Sequence, residues 1–251
     1  TASDDVNFTA AWQSCTSLTS FPALNLSRGT QFNFAWASNT AMTSFGAVTF
    51  STHADDDIDF TSAWKSCTQL ESFPALNLSR GTNFTETWKG CNDASFTSFP
   101  VVTFSSTASD DLNFTRCWQE CTSLTSFPSV NLSRGTNFYA SWYLCSSLVS
   151  FPALDLSSGN DFRYCWLQCT SLVSFPSGID VSSGTVFQGC WHTCSAMTTF
   201  PAGVFDDWNP AWIDGHCFDD AWYNCNALTE QSIENILLSI SASGVHPTSD
   251  G

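Results

Sequence analysis

The sequence predicts a repeat solenoid of nine coils, each about 24–31 residues long. A parallel sheet is expected on one face, short helical turns on the other, and a capping helix at the C-terminal end. Three observations carry this. Composition is lopsided, with 22 Phe and 11 Trp beside 2 Met, as when one unit is copied many times. Nine Trp residues recur: Trp12, Trp36, Trp64, Trp88, Trp118, Trp142, Trp166, Trp191 and Trp222, separated by 24, 28, 24, 30, 24, 24, 25 and 31 residues. Only Trp208 and Trp212 fall outside the series. Other side chains keep a fixed distance from each Trp. The predicted organisation is a solenoid over 1–228, a capping helix over 229–240 and a tail or linker over 241–251.

The columns follow by counting from each Trp. Four residues before it stands Phe in all nine copies, from Phe8 to Phe218. Three after it stands Cys in eight of nine, Asn39 being the exception, and six after it comes Leu or Met in all but the fourth copy, which offers Phe96. Ser-Phe-Pro or a near variant follows, as in Ser20-Phe21-Pro22. Phe, Trp, Cys and Leu at spacings of four, three and three draw one apolar stripe, which reads as a helical turn that Pro then stops. Ala23-Leu24-Asn25-Leu26 alternates apolar and polar and reads as a short strand, and Ser27-Arg28-Gly29-Thr30 as a turn. A unit this short cannot bury its own apolar face, whereas stacked copies bury a continuous core.

After Leu228 the Phe-Pro half is missing. Thr229 precedes Ile233, Ile236, Leu237 and Ile240, an N-cap and a helical stripe expected to lie over Phe218, Trp222 and Leu228. No matching cap precedes the first coil, which suggests a chain set inside a longer protein or covered by another chain.

The string FTAAWQSCTSLTSFPALNLSRG resembles the repeat of BspA-type leucine-rich-repeat surface proteins, with Trp where that family usually has Phe before x-x-Cys, and Phe where it has Ile before Pro. The resemblance spans residues 1 to about 228. It implies a leucine-rich-repeat-like solenoid, exposed on bacteria, some protists or their phages, and usually binding or adhesive. It carries no shared catalytic site.

Charge limits the partners. There are 23 acids against 7 bases, a net charge of −16, which argues against nucleic acid and against anionic membrane surfaces. No apolar run approaches the ~20 residues of a membrane span. The acidic clusters have two main readings. Eight residues before successive Trp residues stand Asp4, Arg28, Asp56, Arg80, Asp110 and Arg134. Acid and base alternate from coil to coil, so stacking would give an ion ladder in which each Arg has Asp above and below. The rival reading is calcium held by Asp4, Asp56 and Asp110, and the plainest is solvated surface.

Twelve cysteines also leave alternatives. Eight occupy the column after Trp and three (Cys117, Cys165, Cys190) a column of small residues just before it, which suits reduced thiols in the core. A few late bridges such as Cys165 to Cys190, or a zinc site among Cys190, His192, Cys194, His216, Cys217 and Cys225, are the other readings. Six Asn-x-Ser/Thr sequons, at Asn7, Asn25, Asn77, Asn83, Asn113 and Asn131, follow the repeat and read as polar ladders rather than glycosylation sites. Regular Thr columns could meet an ice or carbohydrate surface, or simply bond backbone at turns. No nucleophile elbow, phosphate loop or dinucleotide fingerprint occurs.

The expected function is a non-enzymatic binding or adhesion module on a bacterial surface or virion, as in a phage-tail-type adhesin. It would need no cofactor and would be part of a larger protein, with a protein or carbohydrate surface as ligand. The alternative is a structural spacer or assembly subunit that stacks end to end.

Overall fold

The computed structural model describes residues 5–107, 110–209 and 215–244. Eight short strands and one helix are assigned: β1 (Val6–Asn7), β2 (Ser20–Phe21), β3 (Gly29–Gln31), β4 (Ser44–Phe45), β5 (Ile58–Asp59), β6 (Gly81–Asn83), β7 (Leu112–Asn113), β8 (Gly135–Asn137) and α1 (Glu230–Ala242). All pairing is parallel, and each repeat pairs with the next. One sheet runs β1-β3-β5-β6-β7-β8, and single bridges continue it from Asn137 to Asp161 and from Asp161 to Val186. A second row joins β2 to β4 and on to Ser72, and a further run of bridges links Ser98, Ser126, Ser150, Ser174 and Thr199. A third consists of bridges such as Asn25 to Thr49 and Asp155 to Asp180. The fold is thus a parallel repeat solenoid with pairing on three walls.

Its core is aromatic. The nine Trp residues form one unbroken stack, neighbouring rings 5.1–5.9 Å apart and within 9° of parallel. Phe rings stand edge-on beside them, as Phe45 does to Trp36 at 5.0 Å. Each aromatic contact of this kind adds about 0.5–1.5 kcal/mol beyond its area burial. Trp36 through Trp191 are wholly buried, whereas Trp12 and Trp222 at the two ends are partly exposed. Trp208, outside the periodic series, is also buried and donates from Nε1 to the Gly184 carbonyl at 2.6 Å. Closeness explains one glycine column: a Cβ on Gly135 would meet Phe138 Cζ at 2.3 Å.

The expected helical turns do not form. Between Phe8 and Ser14 the chain makes successive tight turns. Ala11 and Gln13 donate to Phe8 and Ala10 three residues back, while Phe8, Ala10, Trp12 and Ser14 donate to Gln31, Asn33, Ala35 and Ala37 of the next repeat. A helix would turn every one of these N–H groups inward and leave none for the neighbour. The alternation needs left-handed residues two before and two after each Trp. Both columns are left-handed around all nine column Trp residues, from Ala10 (φ 54) and Ser14 (φ 56) to Asp220 (φ 53) and Asn224 (φ 60), with Gly only at Gly90 and Gly189. Spacings of four and three suit this turn train as well as a helix, which is why the stripe misled.

The sequons have a structural cause. Asn7, Asn25, Asn77, Asn83, Asn113 and Asn131 each accept, through Oδ1, the backbone N–H two residues on, at 2.8–3.1 Å. Asp155, Asp161 and Asp180 do the same where the column changes. An Asx turn needs a short side-chain oxygen, and Asn and Asp supply it equally.

The C-terminal helix is present, and the face it turns inward is the expected one only in part: Ile236 is buried and Ile240 packs against the core, while Ser232 and Ser239 turn inward in place of Ile233 and Leu237. Thr229 caps it, accepting from the Ser232 N–H. Its buried residues are Ser232, Ile236 and Ser239. Ser232 and Ser239 accept the N–H groups of Phe200 and Phe205, and Asn235 donates to the Phe200 carbonyl. The helix therefore continues the hydrogen-bonded wall of the preceding repeat. Ile233 and Leu237, expected beneath it, are 49% and 63% exposed.

Candidate functional site

The outward columns of the turn train are not constrained by core packing, although two of them require a left-handed backbone. There the chain departs from its Ser, Thr and Ala habit. All four of its Tyr residues, Tyr139, Tyr143, Tyr164 and Tyr223, lie within three residues of a column Trp on this face, with Lys65, Lys89, Arg116 and Arg163. Among the described residues the other aromatics are Phe or Trp and most face inward, Phe34 at 38% exposed being an exception.

Stacking gathers these residues into an open groove of about 340 Å³, lined by Lys89, Arg116, Gln119, Tyr139, Tyr143 and Tyr164, among others. It crosses the repeats of Trp88, Trp118, Trp142 and Trp166. The Arg116 and Arg163 guanidinium carbons lie 5.2 and 5.3 Å from the centre of the Tyr139 ring, which both flank. Tyr164 meets Tyr139 edge to face at 5.9 Å.

Carboxylates hold the cations in place. Arg163 Nη2 lies 2.6 Å from Asp161 Oδ2, and that hydrogen bond pushes the guanidinium pKa upward. Lys65 Nζ lies 2.6 Å from Glu86 Oε2, while Lys89 and Arg116 reach Glu86 Oε1 at 3.4 and 3.8 Å. Burial alone would raise the Glu86 carboxyl, but the Lys65 hydrogen bond and the nearby Lys89 hold it below its ordinary range. Gln119 is buried, and its Nε2 donates to Glu120 Oε1 at 2.9 Å. Its carbonyl oxygen has no partner among the described residues.

No protein family, no curated protein and no solved structure matches this chain. The site is read from its own geometry.

The charged residues singled out in the sequence lie on another wall. Arg80 sits between two loops, 3.6 Å from Asp57 Oδ1 on one side and 3.8 Å from Asp110 Oδ2 on the other. Its stronger bonds go to backbone, from Nε to the Asp56 carbonyl at 2.9 Å and from Nη2 to the Ala54 carbonyl at 2.6 Å. Arg134 repeats this with the Asp110 carbonyl at 3.2 Å and Asp111 at 3.7 Å. Arg28 is also partnered, and Asp4 lies outside the described residues. The Asp56 carboxylate accepts instead from the Ser51 hydroxyl, and that of Asp110 from Ser105 Oγ at 2.5 Å. The expected Asp56 contact is thus through its main chain, because its side chain closes its own loop. Among the described residues no group of His, Cys, Asp and Glu is placed to hold a metal, and no helix is long and apolar enough to cross a membrane.

The buried cysteines are chemically quiet. All twelve are free thiols, with no Cys165–Cys190 bridge. In the column after Trp, each thiol from Cys67 onward donates to the carbonyl of the preceding repeat's Trp, at 3.0–3.2 Å. Burial pushes Cys67 and Cys145 up to about 12, so they are neither nucleophiles nor metal ligands at neutral pH.

Proposed function

We propose that the chain is a non-enzymatic binding module, a nine-coil variant of the BspA-type leucine-rich-repeat architecture, displayed outside the cell or on a virion within a larger protein. The observation that carries this is the gathering of the Tyr residues, with paired cations, on the one face the core leaves free. Tyr gives large, stiff, amphipathic contact area at low entropic cost. The ion pairs fix the cations before a ligand arrives, which lowers the cost of binding. Fluorescently labelled protein incubated with a panel of bacterial and animal cells tests this reading by flow cytometry. Retention on some cells, lost in a Tyr139→Ala/Tyr164→Ala variant with unchanged thermal midpoint, is expected. Retention on none, or retention indifferent to the two Tyr residues, overturns it.

A second reading, an end-to-end assembly subunit, has its own observation. The last repeat and α1 leave an open apolar groove of about 560 Å³ lined by Phe218, Trp222, Leu228, Ile233, Leu237 and Ile240, among others. The N–H groups of Phe218, Asp220, Trp222 and Asn224 meet no backbone carbonyl among the described residues. Their counterparts in earlier repeats all do, and a row of free donors beside apolar surface invites pairing. Light scattering against concentration decides it: growth with concentration supports assembly, and a constant monomer mass removes it.

A further inference from the structure

Resting on the binding-module reading, we propose that the Tyr139–Tyr164 groove takes a neutral, linear oligosaccharide laid along the solenoid axis, with about one sugar ring per repeat. Four features of the groove select this class.

The first is spacing. The groove crosses four repeats joined by parallel pairing, which sets them ~4.8 Å apart along the axis. One sugar unit in an extended glycan advances by nearly the same distance, so successive rings can meet equivalent positions. An extended peptide advances ~3.3 Å per residue and falls out of step.

The second is the occupied backbone. A peptide ligand gains much of its affinity by adding a strand to an open edge. Here the main chain below the groove is already paired: Arg116, Ala140 and Tyr164 donate to Tyr139, Arg163 and Gln188 of the next repeat at 2.8–2.9 Å. Only side chains remain to recognise a ligand: Arg116 and Arg163 flank the Tyr139 ring, which leaves its hydroxyl, the rings of Tyr143 and Tyr164, and the paired charges.

The third is charge. Lys89 faces Glu86 and Glu120, Arg116 faces Glu86, and Arg163 is doubly bonded to Asp161. Lys65, Lys89, Arg116 and Arg163 share Glu86, Glu120 and Asp161, an excess of a single cation, and the protein's net charge of −16 works against a polyanion. Interleaved carboxylates and guanidiniums instead offer acceptors and donors side by side, as sugar hydroxyls require.

The fourth is Gln119, only 6% exposed and bonded from Nε2 to Glu120. A carboxylate can only accept, so the amide cannot flip, and its carbonyl oxygen is left buried behind the groove wall without a donor among the described residues. A hydroxyl group that reaches it after a small side-chain shift would supply one.

The test is titration calorimetry of the 251-residue chain with neutral linear oligosaccharides of increasing length, chosen from a glycan-array hit. Affinity should rise with length until the ligand spans the four repeats and then level off. It should be insensitive to salt, and fall about tenfold in Tyr164→Ala and in Gln119→Ala, both with unchanged thermal midpoints. Absence of any neutral glycan on the array, equal affinity for one sugar unit and for long chains, or binding confined to sulfated glycans and abolished by salt would each overturn it. Periodate treatment of cells that retain the protein separates the two readings. Retention that survives glycan destruction and still needs Tyr139 and Tyr164 rejects the saccharide and keeps the binding module.

Discussion

The thiol of Cys145 donates to the carbonyl of Trp118 in the preceding repeat at 3.2 Å. The same bond joins every later Cys of the column to the Trp before it, and explains why the column is Cys. The buried Trp118 carbonyl already accepts the Cys121 N–H at 3.2 Å, and the thiol of the next repeat serves its second lone pair. A thiol is small enough to fit and apolar enough to tolerate burial.

Asn39 breaks the column, and both of its amide atoms are buried without a partner. Restoring the column residue, Asn39→Cys, should remove two unsatisfied polar groups and supply a donor to the Trp12 carbonyl. A gain of about 1–3 kcal/mol is expected, read as a raised midpoint in denaturant titration. A loss would mean that the amide has a partner in solution.

The thiol column also predicts a response to alkali. Cys145 and Cys67 are pushed by burial to about 12, against an ordinary 9.0. A folded-state pKa raised above the unfolded one means that the unfolded chain gives up these protons first as pH rises. The thiols' contribution is complete below pH 9 and is lost between there and about 12. Stability measured by denaturant across this window should fall less steeply in Cys145→Ser than in the parent. At pH 8, a thiol reagent should label the exposed Cys15 quickly and the eleven buried thiols only after unfolding.

The left-handed columns make opposite substitutions diagnostic. Ser38 has φ 60 and donates its N–H to the Lys65 carbonyl at 2.7 Å. Glycine adopts this conformation without steric cost, so Ser38→Gly should be neutral or stabilising by up to about 1 kcal/mol. Ser38→Val, β-branched, should cost about 1–3 kcal/mol. In a helix the order would reverse. Thermal unfolding of the two variants therefore separates a turn train from a helical turn.

At the C-terminal end, Ser239 Oγ accepts from the Phe205 N–H at 2.8 Å and donates to Asp206 Oδ1 at 2.7 Å. Ser239→Ala should cost about 1–3 kcal/mol by leaving a buried N–H unpaired and should fray the last repeats first, visible as early hydrogen exchange there. Leu237→Asp, at a residue 63% exposed, should leave the unfolding midpoint nearly unchanged while abolishing any concentration-dependent association. Equal destabilisation by both would mean that Leu237, not Ser239, faces the core.

The repeat, its register and its core columns were legible in the sequence because each copy must bury the same side chains against the next. Nine spaced Trp residues, the Phe four before each and the Cys three after most state that demand directly. The Asx turns were partly legible, since the polar column was visible but its bond to the amide two residues on was not. Three things waited for the tertiary structure. The Phe–Trp–Cys stripe fits helix and turn train alike, and only pairing with the next repeat, which requires half the amides to point along the axis, selects the turn train. The face α1 turns inward depends on which backbone donors the preceding repeat leaves open, namely Phe200 and Phe205, and hydrophobic periodicity does not record that. The groove joins Lys89 to Tyr164 across 75 residues of chain. Its trace in the sequence is three of the four Tyr residues, Tyr139, Tyr143 and Tyr164, in columns that face away from the core, and their meeting is decided by the stacking distance between repeats.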